Sequence, residues 1–369
     1  MAKKVVVVVG ASLGGLAVTH RLLKDTLPHE PDLRVNSHFY WNIASVRAVV
    51  PGAVEDDAIL QAIEPGLAQY PDDSVEFVVG TAVRLHAGAK VLVVKMPDLV
   101  DRNVHYDYLV LATGANPSDG TMPWKAAGTY EECLDTLHTA ASRVEAASSV
   151  VVAGGGPTGV ELAAEIKYHY RAKRVVLLHA GETLVGGDPS AASVERELAK
   201  LGVDVRKGVK ALETDSKRPD GKTLVTLSDG DELLTDYYMP TVGLVPNTKF
   251  LPTELLTPSH YVDVDECMRV RGAEDMWAVG DVVSKPRAGL LFTEAQAAGV
   301  VKNITLALLG KRQQVVKGPP VDVFLCTIGR ERGVGRVGCV HVPSLLVWAL
   351  KGRTLATERT AKYVNGTMW

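Results

Sequence analysis

Cysteine is scarce in this chain and poorly placed for redox or metal chemistry. Among 369 residues there are four, Cys133, Cys267, Cys326 and Cys339. No two stand as C-x-x-C or C-x4-C, so no redox dithiol or zinc knuckle is readable. A reducing compartment is the default for thiols used this way. No apolar stretch reaches the ~18–20 residues that span a bilayer. The net charge is only −3, which gives no electrostatic footprint for nucleic acid. Ten histidines, His38, His105, His138 and His179 among them, show no H-E-x-x-H or other ligand spacing, so no metal is expected. Ser12 lacks a G-x-S-x-G setting, which argues against a serine nucleophile. Position 2 is alanine, which excludes N-myristoylation. Met1-Ala-Lys-Lys before an apolar run imitates a leader, but a buried parallel strand entering a glycine turn explains the run better. Repeat arrays and low-complexity tracts are also lacking.

Glycine, by contrast, is plentiful and patterned. Val5–Val9 runs into Gly10-Ala-Ser12-Leu-Gly14-Gly15, and Val150–Ala153 runs into Gly154-Gly155-Gly156-Pro-Thr-Gly159. In a strand–glycine loop–helix unit, glycines let the backbone approach a pyrophosphate. The helix N-terminus then supplies free N–H groups and a positive dipole end. Two such units imply two dinucleotides, hence a flavin fed by a nicotinamide. The second matches the pattern fully; in the first, Ser12 replaces the central glycine. Ala112-Thr113-Gly114 ends another buried strand in a tight turn. Gly280-Asp281 follows the apolar Trp277-Ala-Val and offers an acid to the ribityl hydroxyls of a flavin. A helix beginning near Phe292-Thr293 would aim its N-terminus at the flavin pyrimidine. Glu161, just past Gly159, is either an ordinary helix acid or a group near the nicotinamide carboxamide or ribose. Glu165, one turn on, reads as structural. The acid that marks NAD preference is missing after the second unit, where the strand ends at His179-Ala180-Gly181, so NADH and NADPH stay undecided. The strand after the first unit looks truncated at Leu33-Arg-Val35.

Strand-turn-helix units argue for α/β layers on parallel sheets, and the length suggests two or three domains. Further strands are expected at Val75–Val79, Val91–Val94, Val175–His179 and Tyr237–Gly243, with a hairpin in Asp215–Gly230. From Gly318 onward the composition suggests antiparallel strands over Phe324–Gly329 and Val334–Val342. Ser344–Lys351 then reads as a short amphipathic helix. Leu345–Leu350 followed by Lys351 and Arg353 is either a solvated helix end or an interfacial apolar face with a basic border.

Taken together, the glycine loops, Asn42…Arg47, Ala112–Gly114, Gly154–Ile166, Gly243…Asn247, Val279–Asp281 and Ile328…Gly335 resemble the flavin-dependent pyridine nucleotide oxidoreductases of the apoptosis-inducing-factor-like type. Within that type the pattern is similar to the ferroptosis suppressor proteins and their relatives. The resemblance implies two Rossmann-like domains plus a small α+β C-terminal domain. FAD would sit in residues 1–115 and 245–317, NAD(P)H in an inserted domain over 116–244, and the acceptor side in 318–369. It implies Arg47 near the FAD, Lys125 near the flavin and Lys351 at the acceptor side. With Glu161, the two lysines are the expected catalytic set. Gly10, Ser12, Gly14, Gly15, Arg47, Ala112, Thr113, Gly114, Gly154, Gly156, Gly159, Gly280 and Asp281 are the expected cofactor residues. The expected activity is electron transfer from NAD(P)H through FAD to a quinone-like or other small acceptor, without a redox disulfide. A tailoring oxidoreductase for one specialised metabolite and a slow-turnover NAD(P)H sensor are the rival readings. A cytoplasmic location is expected, with peripheral contact with a membrane and a homodimer left open.

Overall fold

The structure, a computed structural model, describes residues 4–25, 30–35, 37–126, 128–284 and 289–369. Residues 1–3, read above against a leader and acylation, lie outside these.

Five consecutive valines make strand β1 (Val5–Val9), whose Val6, Val7 and Val8 are wholly buried. β-branched residues suit such a strand, and each buried side chain contributes roughly 1.5–3 kcal/mol. The chain turns through Gly10 into helix α1 (Leu13–Asp25) and returns as β2 (Glu30–Val35). β3 (Glu76–Val79) and β4 (Tyr108–Leu111) follow. Between them an antiparallel meander runs over Thr81–His86, Val91–Lys95 and Asp101–His105. β2 corrects the expected truncation. It is six residues long and pairs in parallel with both β1 and β3. Its first half, Glu30-Pro-Asp32, carries no apolar period, which is why the sequence hid it.

Ala115–Pro117 then pairs antiparallel with Leu244–Pro246, the two crossings that join the first sheet to a second. Between them come β5 (Ser149–Ala153), α2 (Pro157–His169), β6 (Arg174–Leu178), β7 (Asp204–Arg206) and β8 (Tyr237–Pro240). Proline at the first position of α2 suits a helix start, since its missing N–H would be unpaired there anyway. This sheet runs β7-β6-β5-β8, all parallel. A three-stranded antiparallel sheet over Ala211–Asp215, Thr223–Leu227 and Glu232–Thr235 covers one face of it.

β9 (Met276–Ala278) completes the first sheet in the order β9-β4-β1-β2-β3, also all parallel. Helix α3 (Leu290–Leu308) packs across α1, with Gly14 against Val279 and Thr293. An antiparallel sheet of β10 (Val323–Ile328), β11 (Arg332–Val337) and β12 (Val340–Val342) follows. Arg336 forks onto Asp188 at 2.7–3.1 Å and so pins this sheet to the loop after β6. Ser344–Val347 is a short helix that widens into a π-helical turn over Trp348–Gly352. The last residues then return to the first unit. Lys24 donates to the carbonyls of Gly366 and Trp369, and Trp369 donates to Glu294 on α3 at 2.9 Å.

Candidate active site

The C-terminal ends of β1, β4 and β9 meet at the first glycine loop. Gly10 has φ +111°, and a Cβ there would lie 2.2 Å from the Ala112 carbonyl oxygen. A Cβ on Gly15 would lie 1.6 Å from the Gly10 carbonyl. These contacts bring strand ends and the N-terminus of α1 to one point. Ser12 stands exposed one residue before α1 and accepts, through its carbonyl, the Leu16 amide at 3.0 Å. Ala112-Thr113-Gly114 is locked by Asn247. Thr113 Oγ1 donates to the Asn247 carbonyl at 2.9 Å, and Asn247 Nδ2 donates to the Thr113 carbonyl at 2.9 Å. The Gly280 amide donates to Gln296 Oε1 at 2.8 Å, which ties the Gly-Asp turn to α3. Asp281 pairs with Lys125 at 2.6 Å, both partly buried.

The second loop is built the same way. Gly154 has φ +128°, with Thr241 Oγ1 2.4 Å from a Cβ position. Gly159 is closed by the Gly154 carbonyl at 1.8 Å. Gly156 is different. It caps α2 with φ −74° and ψ 177°, a backbone any residue adopts, and no atom lies within 4 Å of its Cβ position. Nothing in the protein therefore requires glycine at 156. The open space there, at the N-terminus of α2, fits the approach of a dinucleotide pyrophosphate.

Past the loop, α2 turns its acids inward. Glu161 is 4% exposed and Glu165 fully buried. Glu161 Oε1 accepts from Lys351 Nζ at 2.6 Å and from the Thr327 amide at 2.8 Å. Lys351, on the π-helical turn, also donates to the Leu325 carbonyl at 3.1 Å. Glu161 is thus no helix-surface acid, and residues 190 positions apart are brought together. Glu165 Oε1 accepts from Arg47 Nη2 at 2.7 Å, and both side chains are buried. Arg47 further donates to the carbonyls of Gly352 and Arg353 at 2.8 and 3.1 Å. The expected FAD neighbour is thus held in an ion pair with the second unit, and its Nε has no partner. Burial pushes the Glu165 carboxyl above its ordinary range, against the pull of Arg47.

Two contributors, Thr241 and Gln296, were not singled out from the sequence, and Glu165 was read there only as structural. Thr241 backs Gly154 and Gly159, and Gln296 holds Gly280. Glu165 anchors Arg47, and its spacing of four from Glu161 is the one sequence signal that marks the shared face. All four cysteines are free, and burial pushes the Cys326 thiol well up and that of Cys133 to about 11.

Residues 4–300 match the pyridine nucleotide-disulphide oxidoreductase family. The oxidoreductase ptaL of Pestalotiopsis fici is 36% identical over 99% of this chain and all of the relative. The ferroptosis suppressor protein 1 of Taeniopygia guttata is 28% identical over 98% of this chain and 96% of that protein. Among solved structures, the sulfide:quinone oxidoreductase of Aquifex aeolicus superposes with a TM-score of 0.78 at 17% identity. It covers 98% of this chain and 92% of the other.

Proposed function

The chain belongs to the pyridine nucleotide-disulphide oxidoreductase family, and on that premise we propose that it passes electrons from NAD(P)H through FAD to a quinone-like acceptor. FAD and NAD(P)H are the cofactors of the family, and the two glycine cradles fit them. Bound, they would supply hydride transfer from nicotinamide to flavin and then two-electron reduction of the acceptor.

The chain's own residues bind, orient and protonate. Gly154, Gly156 and Gly159 with the N-terminus of α2 hold the nicotinamide dinucleotide. Gly10, Ser12, Gly14 and Gly15 with α1 hold the FAD pyrophosphate, beside the Ala112–Gly114 turn. Gly280 and Asp281 take the ribityl end, and Lys125 holds Asp281 in place. Arg47, held by Glu165 and by the carbonyls of Gly352 and Arg353, is placed beside the FAD on this reading. Glu161 orients Lys351, whose ammonium donates to the oxygen of the acceptor as that oxygen gains charge. Free, separated cysteines with raised thiols at 133 and 326 support transfer without a protein disulfide.

A lipophilic acceptor fits the surface around Lys351. Val340, Leu345 and Leu350 are 66%, 71% and 59% exposed. Residues 332–357 hold Arg332, Arg336, Lys351 and Arg353 and no acid. The apolar tip supports contact with a lipid surface, while Arg332, Arg336 and Lys351 beside it are already paired with Glu197, Asp188 and Glu161. Among the described residues no helix is long and apolar enough to cross a membrane.

The Lys351–Glu161 pair is the observation that carries the reading. Lys351→Met should leave flavin reduction by NAD(P)H intact and slow acceptor reduction about 10²-fold, the usual worth of a positioned proton donor. Separate stopped-flow half-reactions check this. Parent-like acceptor reduction in that variant would remove Lys351 from the chemistry.

A further inference from the structure

Resting on the reading above, we propose that Glu165 and His169 extend the Lys351–Glu161 pair into a proton path along one face of α2, from solvent to the acceptor. The reaction needs such a path. Reduction of a carbonyl-type acceptor consumes NAD(P)H, one proton and the acceptor, and gives NAD(P)+ and the dihydro product. The nicotinamide supplies the hydride equivalent, and solvent must supply the proton. Lys351 gives up an N–H proton as the O–H bond of the product forms. It is recharged from Glu161, which is recharged from Glu165, then His169, then water.

Glu161, Glu165 and His169 stand at successive intervals of four, so they form a single file on the helix with about 5–6 Å between neighbouring Cβ atoms. Glu161 touches Lys351 at one end. At the other end His169 is partly exposed, at 22% of its side chain, and its Nε2 lies 3.8 Å from Glu165 Oε2. Six buried side-chain nitrogen or oxygen atoms lack a hydrogen-bond partner among the described residues. Four of them lie in this seam: Arg47 Nε, Glu165 Oε2, His169 Nε2 and Thr327 Oγ1. Unpartnered buried polar atoms are costly, and their usual explanation is ordered water or a functional role. A purely structural ion pair needs Arg47 and Glu165 alone. It does not need an imidazole on the far side of the carboxyl, nor a second buried acid one turn away. Arg47, Arg330 and Lys351 face this file from the elements packed on α2, and Tyr168 and Glu331 flank its outer end. Burial and the charges of Arg330 and Arg47 keep the His169 pKa low, and burial raises that of Glu165. Both shifts ease proton exchange between the two groups.

Two variants test the path, Glu165→Gln and His169→Ala, in the flavin-loaded full chain. His169→Ala should reduce flavin with NAD(P)H at the parent rate; Glu165→Gln also frees Arg47 from its ion pair, so its acceptor rate is read relative to its own rate of flavin reduction. Acceptor reduction should slow about tenfold or more, with a larger solvent isotope effect. Added imidazole should restore the rate of His169→Ala. In the cofactor-free chain, the His169 titration followed by NMR should move down in pH when Glu165 becomes glutamine. Parent-like acceptor reduction in both variants would overturn the path, as would slowing that imidazole does not relieve or a His169 titration indifferent to Glu165. Loss of flavin reduction by NAD(P)H in the parent would instead count against the proposed function.

Discussion

Gly156 is the residue whose chemistry is most exposed to test. Its backbone suits any side chain and its Cβ position is open, so Gly156→Val should fold as the parent does. A valine there stands where the pyrophosphate approaches, and the apparent KM for NAD(P)H should rise about tenfold or more, a loss of at least ~1.4 kcal/mol. An unchanged thermal midpoint with unchanged nicotinamide kinetics would move the site elsewhere. His20 makes a second residue-scale prediction. Its ring meets Tyr70 Oη at 2.9 Å and the Val364 carbonyl at 3.0 Å, and burial, with the charge of Lys24, lowers its pKa to about 4. The unfolded imidazole binds its proton near pH 6.5, well before the folded one does. Stability from this group is therefore complete above pH 6.5 and is lost as pH falls toward 4, by about 3 kcal/mol in all. Urea unfolding at pH 7 and pH 4.5 checks it; His20→Gln should lose less across that interval. Gly10, Gly15, Gly154 and Gly159 were legible in the sequence because each is forced by a close approach that a side chain would block. Gln296 and Thr241 were not, because what marks them is a neighbour reached only after folding.

At the scale of elements, α2 joins the three parts of the molecule. Its N-terminus faces the second glycine loop, Glu161 reaches the C-terminal segment, and Glu165 reaches Arg47 on the short helix Ser45–Ala48. Arg47→Met would leave Glu165 as a buried carboxyl without its cation and should cost about 3–5 kcal/mol of stability in urea unfolding at pH 7. Replacing Arg47 and Glu165 together by methionine should recover most of that loss. Equal stability of Arg47→Met and the parent would mean the seam is wetter than its burial indicates. The strands and helices of both nucleotide units were readable from apolar runs entering glycine. β2 was not, because a central parallel strand opening with Glu-Pro-Asp breaks the period that marks burial. The inward turn of Glu161 and Glu165 was also hidden, since an acid on a helix reads as solvated until its partners are found.

For the whole molecule, two parallel sheets carry two cradles, and a third, antiparallel sheet is tied across them by Arg336 and Lys351. Nothing in the sequence alone places residue 351 against residue 161; that contact is a product of how the sheets dock. On the proposed reading, it is also what gives a pair of nucleotide folds a proton donor beside the acceptor. The most direct test of that account is a stopped-flow absorbance run on the flavin-loaded protein, first with NADH or NADPH and then with a short-chain quinone. The account predicts bleaching near ~450 nm on adding the nicotinamide and fast recovery on adding the quinone. A protein that takes up no flavin even when FAD is supplied, or one whose bleached flavin recovers no faster with quinone than without, would contradict it.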